Sequence, residues 1–222
     1  MKKLVAVCCA MFISIVLNAQ VIIKNGDAIA FMGDSITQQG NTSSAGYVNL
    51  VMKGLEVAGV KAKKIPAGVS GNKSNNMLDR LERAVLAKKP QWMTFSCGVN
   101  DVWHRHSHGR EMTDEQFEAN YRAVLKRIRK ETHAKILILC PFLLPSSDKE
   151  DWRDEVERIG AIVRRLADEY ADAYLPLDEK FAEALPTAPT PMHYSLDGVH
   201  PNAAGAEFIG GLYCEAILPL LQ

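Results

Sequence analysis

Four short polar clusters hold the residues of this 222-residue chain that could do covalent chemistry. Gly33-Asp34-Ser35-Ile36-Thr37 offers a hydroxyl nucleophile, Ser35, with its own backbone N–H beside it; the same tripeptide also suits a turn or a helix N-cap. Gly68-Val69-Ser70-Gly71-Asn72 could present a backbone N–H to an oxyanion, or could be a plain glycine-rich loop. Gly98-Val99-Asn100-Asp101 brings an uncharged amide donor, Asn100, of the kind used in oxyanion holes, though an Asx turn would use the same residues. In Asp197-Gly198-Val199-His200-Pro201-Asn202 the carboxylate of Asp197 can hold His200 Nδ1–H, which frees Nε2 as a base. Each cluster alone is a modest signal. Together they supply nucleophile, base, orienter and oxyanion donors, the parts of a serine hydrolase. No Gly-x-Ser-x-Gly occurs, so the strand–turn–helix elbow of α/β-hydrolases is excluded.

The elements around the clusters explain how residues so far apart could meet. Apolar runs at 28–32, 92–97, 135–140 and, more weakly, 173–177 each end at Gly, Pro or Asp, and 61–66 reads as a further short strand. Continuous runs of this kind suit strands buried on both faces, and Pro176 marks an edge. Between them, Thr113-Asp114-Glu115-Gln116 is a capping box opening a helix with Phe117, Tyr121, Val124, Leu125 and Ile128 on one face. Ser147-Asp148-Lys149-Glu150 reads as another, opening Trp152, Val156, Ile159, Val163, Leu166 and Tyr170. Residues 47–57, 77–86 and 203–217 are further helical segments. Strands alternating with helices predict an α/β fold with a mainly parallel sheet, whose ligands sit beyond the carboxyl ends of the strands. Three of the four clusters lie there, and the fourth precedes the last helix.

The four clusters, in this order and approximate spacing from about residue 28 to 210, resemble the four blocks of the SGNH (GDSL-type) hydrolases. The resemblance implies a flavodoxin-like three-layer α/β/α sandwich with a five-stranded sheet. It implies Ser35 as nucleophile, His200 as base and Asp197 as orienter, with the Ser35 N–H, the Gly71 N–H and the Asn100 side chain as the oxyanion hole. No metal or cofactor is required. The family spans lipases, thioesterases, lysophospholipases and acetylesterases of carbohydrates. A compact chain without an obvious apolar lid favours O-acetyl groups on carbohydrate, with a lysophospholipase or short-chain acyl esterase or thioesterase as the alternative. Two rivals of other classes are a carbohydrate-binding α/β domain with a dead triad and a phosphate-binding domain using the 33–37 loop. The second lacks the longer glycine pattern of a P-loop.

Composition sets the remaining bounds. Lys plus Arg and Asp plus Glu each number 26, so no basic footprint for nucleic acid stands out. Met1-Lys2-Lys3, the uncharged apolar run 4–17 and small Ala19 have the layout of a signal peptide, 1–19, preceding one domain, 20–222. Cleavage removes two lysines, leaving 24 basic and 26 acidic side chains in a secreted or periplasmic protein with no membrane anchor of its own. It also leaves Cys97, Cys140 and Cys214, an odd number at wide spacing that makes no disulfide framework; Cys97 and Cys140 read as small hydrophobes. His104, His106 and His108 alternate after Asn100 and would converge on a metal only in an extended segment; otherwise they form a polar loop near the site mouth. Trp103 either lines the substrate pocket or covers the core.

Overall fold

The computed structural model of the protein describes residues 23–109, 112–146 and 148–217; the signal-peptide segment lies outside them. Five strands, β1 (Ala28–Gly33), β2 (Lys63–Gly68), β3 (Trp92–Ser96), β4 (Lys135–Leu139) and β5 (Ala173–Leu175), form one sheet in the order β2-β1-β3-β4-β5. Every pairing is parallel, with Met32 beside Phe95 and Gly33 beside Gly68 at the carboxyl ends. The three inner strands are almost wholly buried, as their unbroken apolar runs require. The edges read differently. β2 carries Lys63, Lys64 and Pro66, and β5 stops before Pro176; a ring without an N–H is tolerated only where no further strand needs the donor.

Helices cover both faces. In chain order they are α1 (Ser35–Thr42), α2 (Tyr47–Val57), α3 (Ser74–Ala84), α4 (Val99–His108), α5 (Asp114–Glu131), α6 (Arg153–Tyr170), α7 (Leu177–Ala184) and α8 (Ala203–Ile217). Successive β3 residues point to opposite faces. Thr94 meets the Tyr213 hydroxyl of α8 at 2.6 Å, while Phe95 packs on Tyr121 of α5 with ring centroids 4.5 Å apart. One layer is therefore built on α2 and α8, the other on α3, α5 and α6, with the sheet between. Among the described residues no helix is long and apolar enough to cross a membrane.

Two sequence expectations change. The helix expected from Ser147 begins at Arg153, after a 3₁₀ turn Glu150–Trp152. Ser147 itself lies outside the described residues. The Glu150 carboxylate instead accepts the Ser146 N–H at 3.1 Å, and Tyr170 is only half-buried. The expected polar loop of histidines is helix α4. Residues two apart on a helix point to different sides. His104 and His108 stack on one face, centroids 4.8 Å apart, while His106 stacks on Trp152 and reaches Glu155 at 2.9 Å. Helix geometry thus separates the three rings that a metal would need together. Cys97 lies buried in the core as expected, and its thiol also contacts the buried Asp101 carboxylate at 3.7 Å.

Candidate active site

The order β2-β1-β3 makes the gap between β1 and β3 the place where chain connections diverge, and ligands of open parallel sheets sit at such a point. Ser35 leaves β1 there as the first residue of α1. Asp34 caps that helix, its buried carboxylate accepting the Ile36 N–H at 2.9 Å. Gly33 is required by space: a Cβ there would stand 2.1 Å from Thr37 Oγ1 and 3.2 Å from the Ser96 carbonyl. The hydroxyl of Ser35 is therefore set at a sharp strand-to-helix corner over the sheet edge.

The Asp197–His200 turn meets Ser35 from the far end of the sequence. Ser35 Oγ lies 2.8 Å from His200 Nε2, and His200 Nδ1 lies 2.7 Å from Asp197 Oδ2. The second carboxylate oxygen, Oδ1, accepts the backbone N–H groups of Val199 and His200 at 2.9 and 2.7 Å. With an ionised carboxylate on one side, the ring carries its proton on Nδ1 and presents the Nε2 lone pair to the serine. Burial alone would raise the Asp197 pKa, but the His200 ring and the two backbone donors outweigh it and hold the carboxyl down at about 2. Two contacts fasten the turn from outside. The buried Ser195 hydroxyl lies 2.8 Å from the His200 carbonyl, and Leu144 N–H donates to the Gly198 carbonyl at 2.8 Å.

The other expected donors stand on the neighbouring loops. Asn100 opens α4, and its Nδ2 donates to the Asn72 carbonyl at 3.1 Å. That carbonyl belongs to the residue after Gly71, so the Gly71 loop and the Asn100 amide are joined directly. Gly71 has φ +75°, a conformation open to glycine at no cost. The same loop is moored to β1, the strand before Ser35, by Val69 N–H on the Gly33 carbonyl at 3.0 Å. All five expected residues thus fall on segments that touch one another at the carboxyl end of the sheet, with Ser35, His200 and Asp197 in direct hydrogen bonding.

Further residues support these. Asp101, fully buried, accepts the Ser74 hydroxyl at 2.7 Å and the Ser74 N–H at 3.1 Å; burial raises its pKa to about 6 against the pull of Ser74. Asp34 is likewise raised to about 6 by burial, against the Ile36 N–H and the His200 ring. Arg80, buried on α3, donates through Nε to Asn72 Oδ1 at 2.6 Å and through Nη2 to the Gly33 carbonyl at 2.9 Å. Trp103 lies 6.0 Å from the His200 ring and 5.3 Å from Trp152, with the Lys149 ammonium over both indoles. Trp103 therefore does both: it stands in the wall beside His200 and packs, half-buried, against the core.

A sequence model of the GDSL-like Lipase/Acylhydrolase family matches residues 31–208. The chain is 28% identical to an acetylxylan esterase of Geobacillus stearothermophilus, covering 88% of this chain and 95% of that one. It is 26% identical to thioesterase 1/protease 1/lysophospholipase L1 of Escherichia coli K12, covering 88% and 86%. Among solved structures, a protein described as a GDSL-like lipase from Parabacteroides merdae superposes with a TM-score of 0.79 at 28% identity, over 89% of this chain and 98% of that one. The acetylxylan esterase Axe2 of G. stearothermophilus superposes with a TM-score of 0.78 at 25% identity, over 89% and 96%.

Proposed function

The chain belongs to the GDSL-like lipase/acylhydrolase family and is a carboxylic ester hydrolase, and from that premise we propose that it removes O-acetyl groups from carbohydrate through an acyl-enzyme at Ser35. The observation that supports this most is the unbroken relay from Ser35 Oγ through His200 to Asp197. His200 Nε2 takes the Ser35 proton as Oγ bonds to the ester carbonyl carbon. The Ser35 N–H, the Gly71 N–H and the Asn100 amide receive the negative oxygen, each worth about 2.7–4 kcal/mol of barrier. The intermediate collapses, the C–O bond to the sugar breaks, and His200 hands its proton to the leaving alcohol. Water, deprotonated by His200, then attacks the acetyl-serine, and acetate leaves as the Ser35 proton returns.

Two observations favour a carbohydrate alcohol. The acetylxylan esterase relative matches over nearly its full length. The His200 and Asp197 side chains are 27% and 39% exposed, so the relay runs from the buried Ser35 up to the surface, where a glycan can approach it. The thioesterase and lysophospholipase relative supports the alternative of longer acyl chains. Purified protein is expected to release acetate from acetylated xylan, pectin or sialic acid, and to prefer p-nitrophenyl acetate over the octanoate by roughly tenfold or more. A preference for long acyl esters, or activity confined to lysophospholipid, would refute the acetyl assignment.

We also propose export, supported by the basic start, the apolar run 4–17 and Ala19. Mass spectrometry of the protein recovered from a bacterial host's periplasm or medium is expected to give an N-terminus at Gln20. Protein recovered only from the cytosol with residues 1–19 intact would overturn this.

A further inference from the structure

Arg80 is the one buried arginine in the described core, and every bond it makes runs toward the candidate active site. Its Nη2 donates to the Gly33 carbonyl, the last peptide of β1 before Asp34 and Ser35. Its Nε donates to Asn72 Oδ1, one residue past Gly71. The Asn72 backbone carbonyl in turn accepts the Asn100 amide at 3.1 Å. A single guanidinium thus touches the nucleophile corner and the Gly71 loop, and through that loop it reaches the third expected oxyanion donor. Only a planar fork with several donors at fixed angles can span two acceptors on different segments; a lysine ammonium on its flexible stem cannot hold the same pair in register. A guanidinium taken out of water is costly unless its bonds are made, and the bonds that offset the cost here are those to Gly33 and Asn72.

We propose that Arg80 is a positioning residue for ester hydrolysis, cross-bracing Gly33 and Asn72 so that the Asn100 amide spends one N–H on the Asn72 carbonyl and aims its second at the developing oxyanion. This inference rests on the assignment of Ser35 and Asn100 proposed above. Arg80 does not touch the substrate; it acts through Asn72 and Asn100. Positioning of this kind matters because a displacement of about 1 Å at the reacting centre can cost about a hundredfold in rate.

The test is a double-variant cycle on p-nitrophenyl acetate with kcat, KM and thermal midpoint measured throughout. Asn100→Ala is expected to lower kcat by about 10²–10³. Arg80→Met is expected to lower kcat by about 10–100-fold with KM little changed, and Arg80→Lys by less. The Arg80→Met/Asn100→Ala double variant is expected to be no slower than Asn100→Ala alone, because the amide that Arg80 positions through Asn72 is already gone. A merely structural arginine would lower the midpoint and multiply with Asn100→Ala in the cycle; that result, or a kcat for folded Arg80→Met within about twofold of the parent, overturns the proposal. Should Arg80→Met show no cooperative transition, Asn72→Ala cuts the same link at its other end while keeping the backbone carbonyl. It is then expected to lower kcat about tenfold with the same non-additivity, and parental kcat overturns the proposal equally. Ser35→Ala separates the levels. Turnover retained by folded Ser35→Ala refutes the nucleophile assignment itself, whereas an inert Ser35→Ala beside a parental Arg80→Met refutes the role of Arg80 alone.

Discussion

Replacing Ser35 by alanine is expected to lower kcat on p-nitrophenyl acetate by about 10⁶, leaving only the weak rate that binding and the oxyanion donors supply. The effect should be this large because the parts of a relay fail together: without Oγ there is nothing for His200 to deprotonate and no acyl-enzyme to form. The fold should survive. Ser35 makes its side-chain bond to His200, while the helix start is held by the Asp34 carboxylate on the Ile36 N–H, which alanine leaves intact. The check is paired: an unchanged thermal midpoint with lost turnover, and no acetyl adduct on quenched protein by mass spectrometry. A folded Ser35→Ala protein that still turns over at the parental rate would sink the mechanism.

Asp197→Asn is expected to cost about 10³–10⁴ in kcat, for a reason the local geometry makes specific. Oδ1 of this side chain faces two N–H donors, from Val199 and His200. In asparagine the carbonyl oxygen must keep that place, since an NH₂ there would confront two donors. The amide NH₂ is then forced toward His200 Nδ1 and donates to it. Nδ1 becomes an acceptor, the ring proton moves to Nε2, and Nε2–H meets Ser35 as a donor instead of a base. The variant therefore has the right shape and the wrong tautomer. Acid stability gives a second reading. The Asp197 pKa is depressed from 3.8 to about 2 in the fold, so the stability its ionised form supplies is present above about 4 and lost as pH falls toward 2. The gap in thermal midpoint between parent and Asp197→Asn should accordingly shrink from pH 5 to pH 2. Near-parental kcat in the folded variant would mean that Asp197 does not set the tautomer.

What could be read from the chain before folding follows from how local each signal is. The inner strands were legible because burial on both faces demands unbroken apolar runs such as residues 136–139. Strand β2 was blurred, with limits two residues off, because an edge strand can carry Lys63, Lys64 and Pro66. Helix α4 was missed because its exposed face is histidine-rich and polar, and only Val99 and Val102 hint at a buried side. At the site, Ser35, Asn100, Asp197 and His200 were legible because their chemistry restricts residue type and their motifs are short. Arg80, Ser74 and Ser195 were not, because a buried polar side chain is defined by partners 47, 27 and a few residues away respectively, and one-dimensional spacing does not register those distances.

The relay joins side chains 165 positions apart. Contacts of that separation cost loop-closure entropy before they return any energy. What brings the His200 turn back to Ser35 is the docking of α8 on α2, where Gly54 and Gly210 let the helices approach until Cys214 and Leu50 fill the space a Cβ would take. The Ser35 corner is synthesised 165 residues before His200. A growing chain therefore carries Ser35 without a proton acceptor until His200 has followed it, and esterase activity itself becomes a reporter that the domain has closed.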